Sequence, residues 1–357
     1  MYPGIKLTLV TGATGWLGQN FVPALARGTA DIQPAWSPPP ELRIRTLILP
    51  GDDRLKPGSV SDRIEVIRGD IREAGDCARF CANAEGAVLF HAAAVIHPRR
   101  VRDFFEVNVK GTENILDAAI AAGVRRAVVV SSNAPCGFNP HHHHLFDEES
   151  PYRPYRKYGR SKMQMELAVK QRQQRGDIET VIIRAPWFYG PHQPSRQTLF
   201  FKMVRDGRMP IVGGGDNRRS MVYIDNLVQG LILAAITNSA DGKLYWIADE
   251  RPYTMNEIVD TVERLLQIEF AQRCVGKRRR IPGLVSEIAG GVDWLLQNTG
   301  LHHRNIHVLA EMNKTIACSI AKARRELGYR PKVGLEEGLK RAMQHLAENS
   351  SSGGFLQ

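Results

Sequence analysis

The chain has 357 residues, of which 43% are hydrophobic and 24% are charged, a balance that predicts a globular protein with one sizeable domain and a smaller lobe. It has no early segment with a signal-peptide pattern, and its five cysteines are odd in number and lack CxxC spacing. We therefore expect a cytoplasmic protein with neither a disulfide framework nor a zinc site. The net charge of +11 favours anionic small molecules such as nucleotides.

Short apolar runs alternate with helical patterns through the first half of the chain. Near-continuous apolar strands separated by helices predict an α/β fold, a doubly wound parallel sheet with helices on both faces. We expect this domain to span residues 1–185, with a proline-rich insertion at 33–40. The predicted strands are residues 6–11, 44–49, 64–68, 87–90, 127–132 and 180–184.

Three glycines follow the first predicted strand and open a helix. Gly12 permits a tight turn, Gly15 lets the backbone approach a pyrophosphate, and Gly18 allows the helix to pack closely on the strand. The N-terminus of the helix adds N–H donors and a positive dipole end. Placed between a strand and a helix, this spacing predicts an NAD(P) site in a Rossmann-type domain.

Tyr158 and Lys162 are four residues apart, which places them on one face of a helix. A free tyrosine has a pKa of about 10 and is a poor base at neutral pH. A neighbouring ammonium group and a positively charged nicotinamide would both favour the tyrosinate form and lower this pKa. The pair predicts proton transfer beside a nicotinamide.

The second half of the chain is predicted to form a substrate lobe over residues 186–348, from which the chain can recross to the first domain, followed by a flexible tail at 349–357. Helices are expected at 226–237, 255–267 and 320–327. The segment 281–301 has a helical apolar pattern that favours packing on the lobe, and a lipid-facing edge is the alternative. Its apolar residues are Leu284, Ile288, Val292, Leu295 and Leu296.

The basic run at 277–280 indicates a solvated face or a contact with an anionic membrane. It lacks the interleaved aromatic residues of a nucleic-acid site. Glu287 and Asp293 argue against a membrane span in the segment that follows. We expect no nucleic-acid partner and no transmembrane span, and we leave contact with a membrane surface open.

Together these motifs resemble the extended short-chain dehydrogenase/reductases, the NAD-dependent epimerase/dehydratase family. The resemblance implies a catalytic Ser132, five residues before Gly137, with Ser131 as the alternative. It also implies that Asp70 lies near the adenine, that Asn108 supports the active site, and that a homodimer forms. The expected cofactor-binding residues are Gly12, Thr14, Gly15, Trp16, Leu17, Gly18, Asp70, Ile71, Ala92, Ala93, Ala94, Asn108, Tyr158, Lys162 and Pro186.

The resemblance implies an arginine clamp for a substrate diphosphate, because guanidinium groups match phosphate oxygens. Arg219 fits that position and Arg218 is the alternative, although Ser220 replaces the aspartate usual in the family. We therefore expect oxidation, reduction or epimerisation at a secondary alcohol or ketone carbon of a nucleotide-linked sugar. A hydroxysteroid-like apolar alcohol or ketone is the alternative substrate, and a non-catalytic dinucleotide sensor is the alternative of another class.

Two further expectations concern the cofactor and metals. The second strand ends at 49–51 without a carboxylate to bind the ribose of NAD, so we expect NAD or NADP with a slight preference for NADP. The histidines at 141–144 lie in a proline-flanked loop without ordered metal-ligand spacing, and no metal is predicted. Asn133 and Ala134 replace the acidic pair usual in dehydratases, which disfavours dehydration.

Overall fold

A computed structural model of the chain describes residues 5–29, 36–55 and 60–349. Six of its strands agree with the six predicted ones to within one residue at either end. The strands are β1 (Leu7–Thr11), β2 (Arg43–Ile48), β3 (Ile64–Arg68), β4 (Val88–His91), β5 (Arg126–Ser132), β6 (Glu179–Ala185), β7 (Trp187–Tyr189), β8 (Pro210–Val212), β9 (Arg218–Arg219), β10 (Met221–Tyr223), β11 (Lys243–Trp246), β12 (Tyr253–Thr254) and β13 (Arg279–Ile281).

Helices connect these strands and cover both faces of the central sheet. A π-helical turn at Glu106–Gly111 and a short 3₁₀ helix at Asn238–Ala240 accompany the α-helices. The α-helices are α1 (Trp16–Arg27), α2 (Ala74–Cys81), α3 (Val101–Phe105), α4 (Thr112–Ala121), α5 (Arg156–Gln174), α6 (Ser195–Arg205), α7 (Ile224–Ile236), α8 (Met255–Ile268), α9 (Gly283–Asn298), α10 (Arg304–Glu311), α11 (Ala321–Leu327) and α12 (Leu335–Asn349).

The central sheet has seven strands in the order β3-β2-β1-β4-β5-β6-β11, and all its neighbouring pairs are parallel. Alternate residues of a strand enter separate hydrophobic clusters: Leu9 packs on one side of the sheet and Val10 on the other. The two-sided burial confirms the doubly wound α/β fold. Because β11 lies beside β6, the chain returns to the central sheet after forming part of the lobe.

The ends of parallel strands position the candidate site. β1, β4 and β5 are adjacent in the sheet, so the loops that follow Thr11, His91 and Ser132 all open at its carboxyl edge. In open α/β sheets this edge is where ligands bind. α5 runs back from this edge and brings its N-terminal turn over the end of β5.

The segment 281–301 forms α9 as a helix, but the expected packing of its apolar residues against the lobe is wrong. Leu284, Ile288 and Leu295 are 68%, 59% and 59% exposed, whereas Asp293 is fully buried. Among the residues that the structure describes, no helix combines the length and apolar character needed to cross a bilayer. The predicted insertion at 33–40 is described only from Trp36 onward, and residues 350–357 of the predicted tail lie outside the described residues.

Candidate active site

The loop between β1 and α1 is closed tightly by its glycines. Gly12 has a φ of +74°, and a Cβ there would lie 2.7 Å from backbone atoms of Ala92 and Ala93. A Cβ on Gly18 would lie 2.3 Å from the carbonyl oxygen of Gly12. The first N–H groups of α1 lack acceptors within the helix and face this turn. Such a backbone cradle fits the pyrophosphate of a dinucleotide.

The helix side of the loop is tied to the turn that follows β6. Thr14 and Leu17 are buried, and the Trp16 indole donates a hydrogen bond to the carbonyl oxygen of Pro191 at 2.7 Å. Pro186, at the start of that turn, is buried. The structure therefore brings the glycine loop next to the segment that begins at Pro186, one of the expected cofactor-binding residues.

A carboxylate lies beside the glycine loop that sequence reasoning had not placed there. Asp52 lies close to the Thr14 side chain and pairs with Arg54 through two bonds of 2.9 and 2.6 Å. The hydrogen bond from Arg54 holds the pKa of Asp52 well below its usual value. Because Asp52 comes four residues after the end of β2, its approach depends on how the loop folds back.

The predicted adenine-side residues are arranged as a turn after β3. Asp70 accepts hydrogen bonds from the Arg72 backbone N–H and guanidinium, the shortest at 2.6 Å. Ile71 is buried, and its carbonyl oxygen accepts a bond of 3.0 Å from Asn114. An adenine contact by the Asp70 carboxylate would therefore share that group with Arg72.

The small-residue loop after β4 is held from beneath by a buried histidine. The His91 ring lies 2.8 Å from Thr11 Oγ1 through Nδ1 and 2.9 Å from Thr112 Oγ1 through Nε2. Burial lowers the pKa of His91 to about 3, and the charge of Lys162 acts in the same direction. The ring is therefore neutral, and it fixes the loop that begins with Ala92 and Ala93 and ends at the exposed Ala94.

Asn108 connects this loop to the catalytic helix. It lies in the π-helical turn, is fully buried, and exchanges hydrogen bonds with the backbone of Val95 at 2.8 and 3.0 Å. Its amide also donates to Ser161 Oγ at 3.1 Å, and that hydroxyl donates to the carbonyl oxygen of Tyr158 at 2.8 Å. Asn108 therefore positions the first turn of α5 relative to the cofactor loop.

Ser132, Tyr158 and Lys162 converge at the end of β5. Ser132 lies beside Tyr158 and interacts with its side chain, and Lys162 Nζ donates to the carbonyl oxygen of Val130 at 2.9 Å. Burial lowers the pKa of Lys162 to about 8, opposed by the charge of Glu166. The expected lowering of the Tyr158 pKa is not what the protein alone produces: burial raises it, the bond from Ser132 opposes this, and the charge of Glu311 adds to it.

Ser131, the alternative to Ser132, has a different role. It donates a 2.6 Å hydrogen bond to Glu166, a buried carboxylate that also receives Tyr152 at 2.8 Å. Arg184 pairs with both oxygens of Glu166, at 3.0 and 2.7 Å. This network joins β5, β6 and α5 behind the site, so Ser131 points away from the site that Ser132 faces.

Arg219 is half-buried at the edge of the lobe, and part of its guanidinium is unpartnered among the described residues. Its Nη2 donates to the carbonyl oxygen of Glu311, and its Nε has no hydrogen-bond partner among the described residues. Burial lowers its pKa. Both arginines lie in the short β9–β12 ladder, and the backbone N–H of Arg218 donates to Thr315 Oγ1 at 3.2 Å. An unpartnered buried donor is costly, which fits a site for an anionic group.

A groove of about 430 Å³ opens between the loop after β5 and the glycine-rich loop after β8. The groove combines polar side chains with the ring of Phe138. Its lining includes Phe138, Asn139, His142, Asp216, Asn217 and Lys314.

A second buried polar cluster joins α9 and α10 to the start of α5. Asp293 lies 2.8 Å from His307 Nδ1, accepts two bonds from Gln297, and lies 3.5 Å from Arg156 Nε. Hydrogen bonds from His307 and Gln297, with the charges of His307 and Arg156, outweigh burial and lower the pKa of Asp293. The bond to Asp293 and the charges of Glu311 and Asp293 together outweigh burial and raise the pKa of His307. With His302, these donor atoms lie within 4.8 Å of one another, as in a metal site, but the charge of Arg156 opposes a cation.

A family model described as "NAD dependent epimerase/dehydratase family" matches residues 8–248, which include the glycine loop, Ser132, Tyr158, Lys162 and Arg219. The chain belongs to this family. It is therefore an NAD-dependent enzyme of the extended short-chain dehydrogenase/reductase type, and the Rossmann-type fold is confirmed.

Three proteins similar to this chain illustrate the range of activities named for its relatives. An uncharacterized protein of Sinorhizobium fredii, y4nL, is 50% identical over 349 residues, covering 97% of this chain and 96% of that protein. 3 beta-hydroxysteroid dehydrogenase type 7 of Mus musculus is 27% identical, covering 94% of each. The crystal structure of DesIV, a dTDP-glucose 4,6-dehydratase from Streptomyces venezuelae with NAD bound, has a TM-score of 0.73 at 26% identity and covers 98% of this chain and 100% of that one.

Sequence reasoning about this family member missed three acidic groups. Asp52 stands too far beyond the end of β2 for its approach to Thr14 to be evident, and Glu311 reaches Tyr158 from a distant helix. Glu166 carries a local signal, since it lies one helical turn after Lys162 and on the same face. A buried acid at that spacing predicts a cationic partner, which the structure identifies as Arg184.

Proposed function

We propose that the chain is an NAD-dependent oxidoreductase or epimerase that acts at a secondary alcohol or ketone carbon of a nucleotide-linked sugar. The observation that carries this proposal is the convergence of Ser132 and Tyr158 at the end of β5, with Lys162 buried one turn farther along α5. A phenol, a hydroxyl and an ammonium group at this position can move a proton at a substrate oxygen.

In the proposed reaction, Ser132 holds the substrate hydroxyl and Tyr158 accepts its proton. A nicotinamide dinucleotide held by the glycine loop would supply the hydride chemistry, accepting a hydride from the carbinol carbon or donating one to a ketone. Lys162 contributes positive charge that favours the tyrosinate. Reduction reverses each transfer, and epimerisation requires the hydride to return to the opposite face of the carbon.

NAD is the cofactor that we propose. Asp52 beside Thr14 supports it, because a carboxylate here accepts ribose hydroxyls and repels a 2′-phosphate. The slight preference for NADP came from residues 49–51, which do not show that Asp52 approaches Thr14. The dissociation constant should be lower for NAD than for NADP. Asp52→Asn should reduce the ratio of the NADP constant to the NAD constant by about ten-fold. Tighter binding of NADP by the unmodified protein would mean that Arg54 receives the phosphate instead.

The free guanidinium nitrogen of Arg219 and the adjacent groove support a nucleotide sugar as substrate, and DesIV is named as an enzyme of dTDP-glucose. The exposed apolar side chains of α9 favour a second candidate, an apolar alcohol or ketone, the class named in the mouse hydroxysteroid dehydrogenase. Arg219→Lys separates the two, because lysine cannot form the bidentate fork. KM for a nucleotide sugar should rise by about ten-fold or more, while KM for a steroid should not change.

The replacement of the dehydratase acidic pair by Asn133 and Ala134 supports redox chemistry or epimerisation over dehydration.

We propose that residues 1–185 bind the cofactor and that 186–348 mainly bind the substrate. Turnover is tested by incubating the purified protein with NAD and separate panels of nucleotide sugars and steroid alcohols, then measuring reduced nicotinamide and epimeric products. A protein that binds NAD but converts no member of either panel would favour the alternative role, a dinucleotide sensor.

A further inference from the structure

The helix α9 has its polar and apolar faces reversed relative to an ordinary surface helix. Its buried positions are Ser286, Ala289, Asp293 and Gln297, spaced at three or four residues. Its outward face carries Leu284, Ile288, Val292 and Leu295 at the same spacing, all at least 43% exposed. A helix in water buries its apolar face and exposes its polar one. The arrangement of α9 therefore indicates an apolar environment on its outer side.

The buried side of α9 is fully engaged, which fixes its orientation. Ser286 donates to the carbonyl oxygen of Leu309 at 2.8 Å, and Gln297 Oε1 accepts a bond of 2.9 Å from the Lys157 backbone N–H. Arg156 donates to the carbonyl oxygen of Gly290. Rotating the helix to bury its leucines would break these bonds and separate Asp293 from its partners. The buried hydrogen bonds therefore keep the apolar face on the outside.

Basic groups border this apolar face. Lys277 and Arg279 are exposed just before α9, and Arg304 is exposed at the start of α10. Trp294, 55% exposed, lies at the flank of the face in a cavity of about 220 Å³ that Lys157 and Arg160 also line. Amphipathic tryptophan and lysine or arginine side chains are favoured where hydrocarbon meets charged headgroups.

We propose that the outward face of α9 and its basic border dock the enzyme on the surface of an anionic phospholipid bilayer. The apolar residues would enter the headgroup region while the lysines and arginines pair with lipid phosphates. A second copy of the chain is a poorer occupant, because a two-fold contact would bring each basic border against its own copy. The acidic residue on this side, Glu287, is already paired with Lys314.

Docking at this face would orient the active site. α9 contacts the first turn of α5 through Arg156 and Lys157, which directly precede Tyr158, so docking would hold this part of the site in a fixed orientation relative to the bilayer. If the proposed function also holds, the substrate would be reached at the membrane. Docking itself requires no turnover.

The test uses the full chain and co-sedimentation with vesicles of phosphatidylcholine alone or of equal parts phosphatidylcholine and phosphatidylglycerol. The triple variant Leu284→Ser, Ile288→Ser and Leu295→Ser should bind the mixed vesicles at least about ten-fold more weakly. The matched control, Leu167→Ser, Leu199→Ser and Ile268→Ser, removes three exposed aliphatic side chains elsewhere and should bind as the unmodified protein does. Unfolding curves confirm that both variants remain folded.

The charged border is tested separately. Lys277→Gln with Arg279→Gln should weaken binding to mixed vesicles by about ten-fold at low salt, and the difference should shrink at high salt. Tyr158→Phe should bind vesicles normally, so failure of the proposed reaction leaves this result interpretable. The proposal is overturned if the unmodified protein binds neither kind of vesicle, or if the control triple variant loses as much vesicle binding as the α9 triple variant. It is also overturned if light scattering shows a dimer that the α9 triple variant dissociates.

Discussion

The cofactor half of the site and the α9–α10 hairpin both surround Tyr158, but they are built in opposite ways. In the cofactor half, glycines bring backbone against backbone, and a buried chain of hydrogen bonds runs from Val95 through Asn108 to the catalytic helix. In the hairpin, the interior is polar, with Asp293 and His307 at its centre, and the apolar residues face outward.

The difference shows which interactions stabilise each region. The cofactor half is fixed by covalent geometry and close packing, so small changes there have large effects. The hairpin is fixed by a few buried hydrogen bonds and an ion pair, and its outer side chains contribute little to folding. The predictions that follow place the two regions against each other.

The largest effect is expected in the glycine loop. Gly12→Ala would place a Cβ 2.7 Å from the backbone of Ala92 and Ala93 in a left-handed conformation, so NAD affinity should fall by about 100-fold or more. The matched control is Gly51→Ala, which has a similar φ of +78° but nothing within 4 Å of the added atom. Isothermal titration should show a large loss for the first and near-normal binding for the second.

The polar centre of the hairpin should give an intermediate and pH-dependent effect. Asp293→Asn removes a buried partner of His307 and should lower the free energy of unfolding by about 3 kcal/mol near pH 6. Because the pKa of His307 is raised, its ion pair stabilises the fold below about pH 6.5 and is lost as pH rises through the raised value. Denaturant unfolding at pH 6 and pH 9 should show a smaller loss at pH 9. An equal loss at both would contradict a charged His307.

Asn108 should affect positioning more than stability. Asn108→Ala removes the bond to Ser161 that orients the first turn of α5, so kcat should fall by about ten-fold while KM changes little. Ser161→Ala, which cuts the same connection one step later, should give a similar fall. If Asn108→Ala instead changes only the unfolding midpoint, the residue is structural alone.

The smallest effect is expected on the outer face of the hairpin. Leu295→Ala should change the free energy of unfolding by less than about 0.5 kcal/mol, because the side chain is largely exposed. Leu265→Ala in α8, where the leucine is 2% exposed, should cost about 3 kcal/mol. A large cost for Leu295 in dilute solution would show that its face packs against protein.

The cofactor half was predictable because its signals are local. The spacing of Gly12, Gly15 and Gly18 and of Tyr158 and Lys162 follows from one turn and one helix, and the strands alternate with helices as parallel sheets require. The orientation of the hairpin could not be predicted in this way. The period of Leu284, Ile288, Val292 and Leu295 predicts a helix with an apolar stripe, but not which side faces the protein. That side is decided by Asp293, Gln297 and His307, whose partners are distant in sequence.

Double-mutant kinetics of Ser132 and Tyr158 test the central claim most directly. Once turnover of one substrate is found, Tyr158→Phe and Ser132→Ala should each lower kcat by about 100-fold or more, with NAD binding unchanged. Because the two hydroxyls act on one substrate oxygen, the double variant should be little worse than the poorer single variant. Losses that multiply, or a Tyr158→Phe enzyme with normal kcat, would contradict a shared proton-transfer site.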